Sequence, residues 1–132
     1  MNSIKISIPS IIENIKIIES FIDNAREKYA INDDIYGNIM ISVTECVTNA
    51  IVHGNKLDGS KKVNLELHLN DEEIQFIITD EGKGFDYVHL DDPTAPENLE
   101  KAGGRGIFIM KHLSDDVKFE DEGRKAILTF YV

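Results

Sequence analysis

Glu45, Asn49 and His53 recur every four residues within a stretch whose apolar positions repeat at helical spacing. Four residues advance a helix by about 6 Å, so these three side chains stack along one face. Asn49 is the odd member, because mid-helix asparagine has poor propensity and competes with the backbone for hydrogen bonds. A neutral amide oxygen can ligate Mg2+ beside phosphates without adding negative charge. A carboxylate one turn away can take a proton from an attacking hydroxyl. A plain solvated polar face explains the same spacing, with His53 favourably placed near a helix C-terminus.

Five of the nine glycines fall in two clusters. Asp80-Glu81-Gly82-Lys83-Gly84 follows a strand-like run, and Gly103-Gly104-Arg105-Gly106 precedes an apolar helical one. Loop glycines let backbone N–H groups approach a ligand closely. Free N–H groups at a helix start, reinforced by the helix dipole, favour an anion. The common nucleotide motifs are absent. Gly54 to Lys61 has glycines at P-loop spacing, but Ser60-Lys61 reverses the required order and the stretch follows a helix. Neither cluster completes the dinucleotide GxGxxG pattern.

These groups need a scaffold. Alternation at Ile4, Ile6 and Ile8 predicts a strand. Ser10 with Glu13 reads as a capping box opening a helix to about Tyr29. A second helix is predicted from Asp33-Asp34 to about His53, with Gly54 as its stop. Val63 to Leu69 and Ile74 to Thr79 read as a hairpin, residues 86–104 as a long functional loop, and Ile107 to Leu113 as a short helix. Val117 to Glu120 and Ala126 to Val132 close the pattern as a second hairpin around Gly123. The order β-α-α-β-β-loop-α-β-β predicts one α+β domain over residues 1–132, a largely antiparallel sheet with helices on one face.

The 132 residues carry 24 acids against 14 Lys and Arg, a formal charge of -10. That balance argues against a nucleic-acid or anionic-membrane binder, both of which need a cationic face. Locally the balance differs. Lys101, Arg105 and Lys111 face only Glu100 between residues 99 and 113, whereas residues 85–98 hold four acids and no Lys or Arg. Cys46, the single cysteine, has no disulfide partner. With neither a signal-peptide core nor an apolar run approaching the roughly 20 residues of a membrane span, a cytoplasmic protein is expected.

The three motifs together resemble a known family. Glu45-Cys46-Val47-Thr48-Asn49-Ala50-Ile51-Val52-His53-Gly54 is similar to the N box of the Bergerat-type (GHKL) ATPases, the superfamily of gyrase and histidine-kinase catalytic domains. Asp80 to Gly84 resembles their first glycine box, and Gly104-Arg105-Gly106-Ile107-Phe108-Ile109-Met110 their second. Within the superfamily, a short chain with Asn-Ala-x-x-His looks most like the anti-sigma-factor serine kinases of bacterial partner switching.

The resemblance implies a two-layer α/β sandwich with a mixed, mostly antiparallel sheet, binding ATP and Mg2+. It implies that Asn49 ligates Mg2+, Glu45 is the general base, and Asp80 accepts from the adenine amine. Gly82 and Gly84 would let the chain bend around the base, and Gly104 and Gly106 would offer N–H groups to the phosphates. His53, Lys101, Arg105 and Ile107 complete the expected ATP contacts, with residues 86–103 as a lid. Where many relatives carry Gly-Thr, this chain has Gly123-Arg124-Lys125, and Thr79 is the candidate substitute. The implied partners are a STAS-domain antagonist, phosphorylated on serine, and a sigma factor, with homodimerisation through the sheet as a further option. The alternatives are a non-catalytic ATP-binding module that sequesters a partner, and a histidine-kinase-type catalytic domain acting in trans.

Overall fold

The computed structural model describes residues 2–82 and 104–132. Five strands form one sheet in the order β1 (Asn2–Pro9), β2 (Lys62–Leu69), β3 (Glu73–Thr79), β5 (Lys125–Tyr131), β4 (Asp116–Glu120). Every pairing among them is antiparallel, more uniform than the mixed sheet expected from the resemblance. Among the described residues, helices α1 (Ile15–Tyr29), α2 (Asp33–Asn49) and α3 (Gly104–Leu113) complete the element order anticipated from the sequence. Of the loop expected at residues 86–104, residues 86–103, the expected lid, lie outside the described residues, and Gly104 already belongs to α3, which begins three residues before the predicted Ile107.

Register explains the layers. One row across the sheet runs Ile6, Leu65, Ile78, Ala126, Phe119, and the neighbouring row Lys5, Glu66, Ile77, Ile127, Lys118. The period of two puts the first row in the core and gives the second a polar rim. Lys5 pairs with Glu66 there, at 3.6 Å. Buried Ile18, Ile22, Ile39, Val43, Val47, Ile107 and Met110 supply the helical half of the core, opposite Leu65, Leu67, Phe76, Leu128 and Phe130. Phe76 and Phe130 meet edge to face at 6.2 Å, a favoured aromatic geometry.

Besides the start of α3, two predicted helix boundaries change. Ser10 does not cap α1: its hydroxyl donates to the Lys61 carbonyl at 2.8 Å, and a 3-10 turn, Ile12–Asn14, intervenes before α1. The serine is buried, so sealing β1 to the start of β2 prevails over the local capping pattern. Asn32 does cap α2, accepting from the Asp34 N–H at 2.7 Å. At its far end α2 passes into a π-turn, Ala50–Gly54, closed by the Asn55 N–H on the Ala50 carbonyl. Such π-turns occur frequently at functional sites. Together α2 and the π-turn run 22 residues with a mean hydropathy of 1.2 over the most apolar window, enough to span a bilayer by length and composition alone. Here the apolar side is spent on the core, at Ile39, Val43, Val47 and Ile51.

Candidate functional site

Asp80 is the first residue beyond β3, held where the strand ends. Its N–H donates to the Arg124 carbonyl at 2.9 Å, and its Oδ1 accepts from the Gly82 N–H at 2.8 Å. The π-turn closes against it. A Cβ built on Gly54 would lie 2.5 Å from Asp80 Oδ2, and one on Gly82 only 2.0 Å from the Gly54 carbonyl oxygen. The helical run ends at Gly54 as expected from the sequence, but without a left-handed backbone. Gly54 is a glycine because a carboxylate and another backbone segment occupy the space of any side chain.

Asp80 looks into a cavity of about 170 Å³ between the end of α2, the start of α3 and the sheet. Cys46, Ala50, Ile78, Ile107, Met110, Phe119 and Ala126 give it apolar walls, and Asn49, His53 and Asp80 bring polar atoms to it. Burial pushes the Asp80 carboxyl above its ordinary range, against the Gly82 N–H and the Arg124 charge, which pull it down. Burial and the charge of Asp80 together push the Cys46 thiol up to about 12. Cys46 is thus a small apolar wall group here, not a thiolate nucleophile.

The first turn of α3 meets α2 beside this cavity. Gly106 is buried, and a Cβ on it would fall 2.7 Å from Asn49 Nδ2 and 3.2 Å from Glu45 Oε2. The second glycine cluster and the Glu-Asn pair thus share one corner. Neither the Glu45 carboxylate nor the Asn49 amide has a hydrogen-bond partner among the described residues, so both stay available. No cluster of three or more His, Cys, Asp or Glu suited to a metal occurs among the described residues. A divalent ion would take one or two protein oxygens and the rest from phosphate and water, the coordination Mg2+ prefers.

Of the residues anticipated, Asn49, His53, Asp80 and Ile107 line the cavity, while Gly82 and Gly106 abut its walls. Glu45 adjoins the corner without lining the cavity. Gly104 and Arg105 begin α3, and Gly84 and Lys101 lie outside the described residues. Thr79 does not take the place expected of it. Strand alternation turns Ile78 into the cavity and leaves Thr79 on the other face. Gly123, with φ 91°, and Arg124 line the cavity instead, the Arg124 guanidinium being drawn to Asp121 at 2.8 Å. Missed altogether was Asn55. Its only signal was an asparagine directly after the helix-ending glycine, which also reads as an ordinary turn.

A family model of the histidine kinase-like ATPase domain matches residues 8–131. The chain belongs to that family. Its relatives include proteins named serine-protein kinase RsbW. The one from Oceanobacillus iheyensis is 25% identical over 136 residues, covering 98% of this chain and 86% of the relative. The Staphylococcus epidermidis protein is 29% identical over 131 residues, covering 94% and 82%. The Listeria innocua protein is 29% identical over 102 residues, covering 72% of this chain and 65% of the relative. In this ATPase domain the cavity is closed by the N box on one side and by Asp80, the first residue of the first glycine box, on the other. The shared corner of Gly106, Asn49 and Glu45 is where the second glycine box meets the N box.

Proposed function

We propose that this domain is an ATP-dependent serine-protein kinase of the anti-sigma type, acting on a STAS-domain antagonist and binding a sigma factor in the cytoplasm. The observation that carries the reading is the corner where Gly106 packs on Asn49 and Glu45 beside a cavity floored by Asp80. An apolar cavity of roughly 150 Å³ holds a benzene-sized ring, so about 170 Å³ suits a heterocyclic base. Asp80 accepts from the exocyclic amine of adenine, and the walls exclude water from its faces. Residues 1–132 act as a single domain.

Phosphoryl transfer asks a protein for positioning, charge neutralisation and a base. Bound Mg-ATP supplies the transferable phosphoryl group. Asn49 would hold the ion through Oδ1, and the N–H groups opening α3 would face the phosphates. Glu45 receives the proton of the partner's serine hydroxyl at its carboxylate. Arg105 and Lys101 add positive charge in the same stretch of chain.

Incubation with Mg-ATP and a cognate STAS partner is expected to yield phosphoserine on the partner. Asn49→Ala should abolish it together with ATP binding, and Glu45→Ala should abolish it while leaving ATP affinity intact. Absence of phosphoserine with the wild-type chain would reject the kinase reading. If Glu45→Ala then leaves partner signalling unchanged, the domain is a nucleotide-binding module.

A further inference from the structure

We propose that Asn55 is a positioning residue for base recognition: its buried amide holds the Glu81 N–H and so sets where the Asp80 carboxylate stands. The inference rests on Asp80 being the acceptor for adenine.

Asn55 is completely buried, an unusual place for an amide. Its Oδ1 accepts from the Glu81 N–H at 2.8 Å. Its Nδ2 donates to the Lys62 carbonyl at 3.0 Å and to Ser10 Oγ at 2.7 Å. The Ser10 hydroxyl spends its own proton on the Lys61 carbonyl, so it is an acceptor toward Asn55. One N–H partner and two oxygen partners fix the amide's orientation, since the flipped form would set N–H against N–H.

The turn carrying Asp80 has three main-chain N–H groups held in succession. That of Asp80 goes to the Arg124 carbonyl, that of Glu81 to Asn55, and that of Gly82 to Asp80's own side chain. The first bond lies just beyond the paired ends of β3 and β5, and the third is internal to the turn. Only the Asn55 bond fastens the turn to the end of α2, which forms the opposite wall of the cavity. The Glu81 carboxylate assists by accepting from the Lys62 N–H at 2.7 Å. Gly54 and Gly82 leave no space around Asp80 for even one methyl group, so a small swing of this turn displaces the carboxylate from its place. Without Oδ1 the Glu81 N–H must find water, and the turn relaxes toward it.

The test compares binding of ATP and of purine riboside triphosphate, which lacks the exocyclic amine, to the full chain by calorimetry. The wild type should prefer ATP. Asn55→Ala should lose roughly tenfold of that preference, the scale of one well-placed hydrogen bond to a charged group. Asn55→Asp keeps an acceptor for Glu81 and should keep the preference. It should nevertheless melt lower, because its second oxygen faces the Lys62 carbonyl. A purely structural Asn55 would lower the melting temperature in both variants and leave the preference intact in both, overturning the proposal. Asp80→Ala separates the two readings. If it retains the ATP preference, Asp80 is not the adenine acceptor and both fall. If it loses the preference while Asn55→Ala retains it, only the role of Asn55 falls. Should Asn55→Ala not fold, amide hydrogen exchange on the wild type decides: Glu81 must be protected, and exchange at open-chain rates would overturn the proposal.

Discussion

Asp80 stands in a place that suits recognition better than stability. Burial holds its carboxyl above the ordinary range. An acid that keeps its proton longer when folded than when unfolded withdraws stability as pH rises through the carboxylate range. Asp80→Asn retains an oxygen for the Gly82 N–H and removes the charge. Its melting temperature should exceed the wild type's at pH 7, and the gap should shrink as pH falls through the carboxylate range. A melting series across pH checks this, and a gap that widens on acidification would contradict it. Under the proposed function the same variant should bind ATP poorly, since a donor would then face the adenine amine. Gly106 is under a different constraint. Gly106→Ala would push a methyl against Asn49 Nδ2, and displacing a reacting group by tenths of an ångström to an ångström can cost up to roughly a hundredfold in rate. Single-turnover phosphoryl transfer should fall toward that extent, with melting altered far less.

At the scale of elements, the α2 terminus matters most. The π-turn at Ala50–Gly54 keeps His53 on the same cavity as Asn49 and ends with Asn55 buried under the Asp80 turn. The α1 terminus shows an unrelated local strain. Ala30 closes α1 in the left-handed region, with φ 53° and ψ 47°, where glycine is the usual residue. An L-residue there costs about 1–2 kcal/mol, partly offset by glycine's greater freedom when unfolded. Ala30→Gly should therefore stabilise the domain by about 0.5–1 kcal/mol in urea unfolding, with nucleotide binding unchanged. Destabilisation would mean that the Ala30 methyl makes packing contacts worth more than the strain.

At the scale of the whole molecule, a chain of charge -10 must attract a polyanionic nucleotide without a basic surface. Backbone N–H groups, a few nearby cations and a divalent ion can neutralise a triphosphate locally. With no protein cage for a metal among the described residues, the Mg2+ of the proposed function would arrive largely with the phosphates. ATP affinity should therefore fall steeply in excess EDTA, read by calorimetry at constant ionic strength. Equal affinity with and without Mg2+ would defeat this account. The antiparallel sheet supplies the rigid floor, and α2 and α3 bring the two halves of the site together over it.

Sequence alone determined the element order, the core faces and the three motifs. Alternation at Val63–Leu69 and helical spacing in Ile39, Val43 and Val47 are local consequences of burying one side of an element, so they can be read along the chain. The family resemblance likewise rests on short contiguous motifs. Tertiary structure decided what depends on contacts between distant segments. Ser10 had an apparent helix to cap and was taken by Lys61, 51 residues away. Gly54 had the place of a helix stop and is small because Asp80 presses on it. Thr79 could have faced the base, but a strand can offer the cavity only every second residue, and that residue is Ile78. Asn55, not singled out in the sequence, became the buried link between the N box and the first glycine box. For Ser10 and Asn55 the outcome was set by which buried polar group had to find a partner, and for Gly54 and Thr79 by which atoms share the space, competitions settled only when the segments meet.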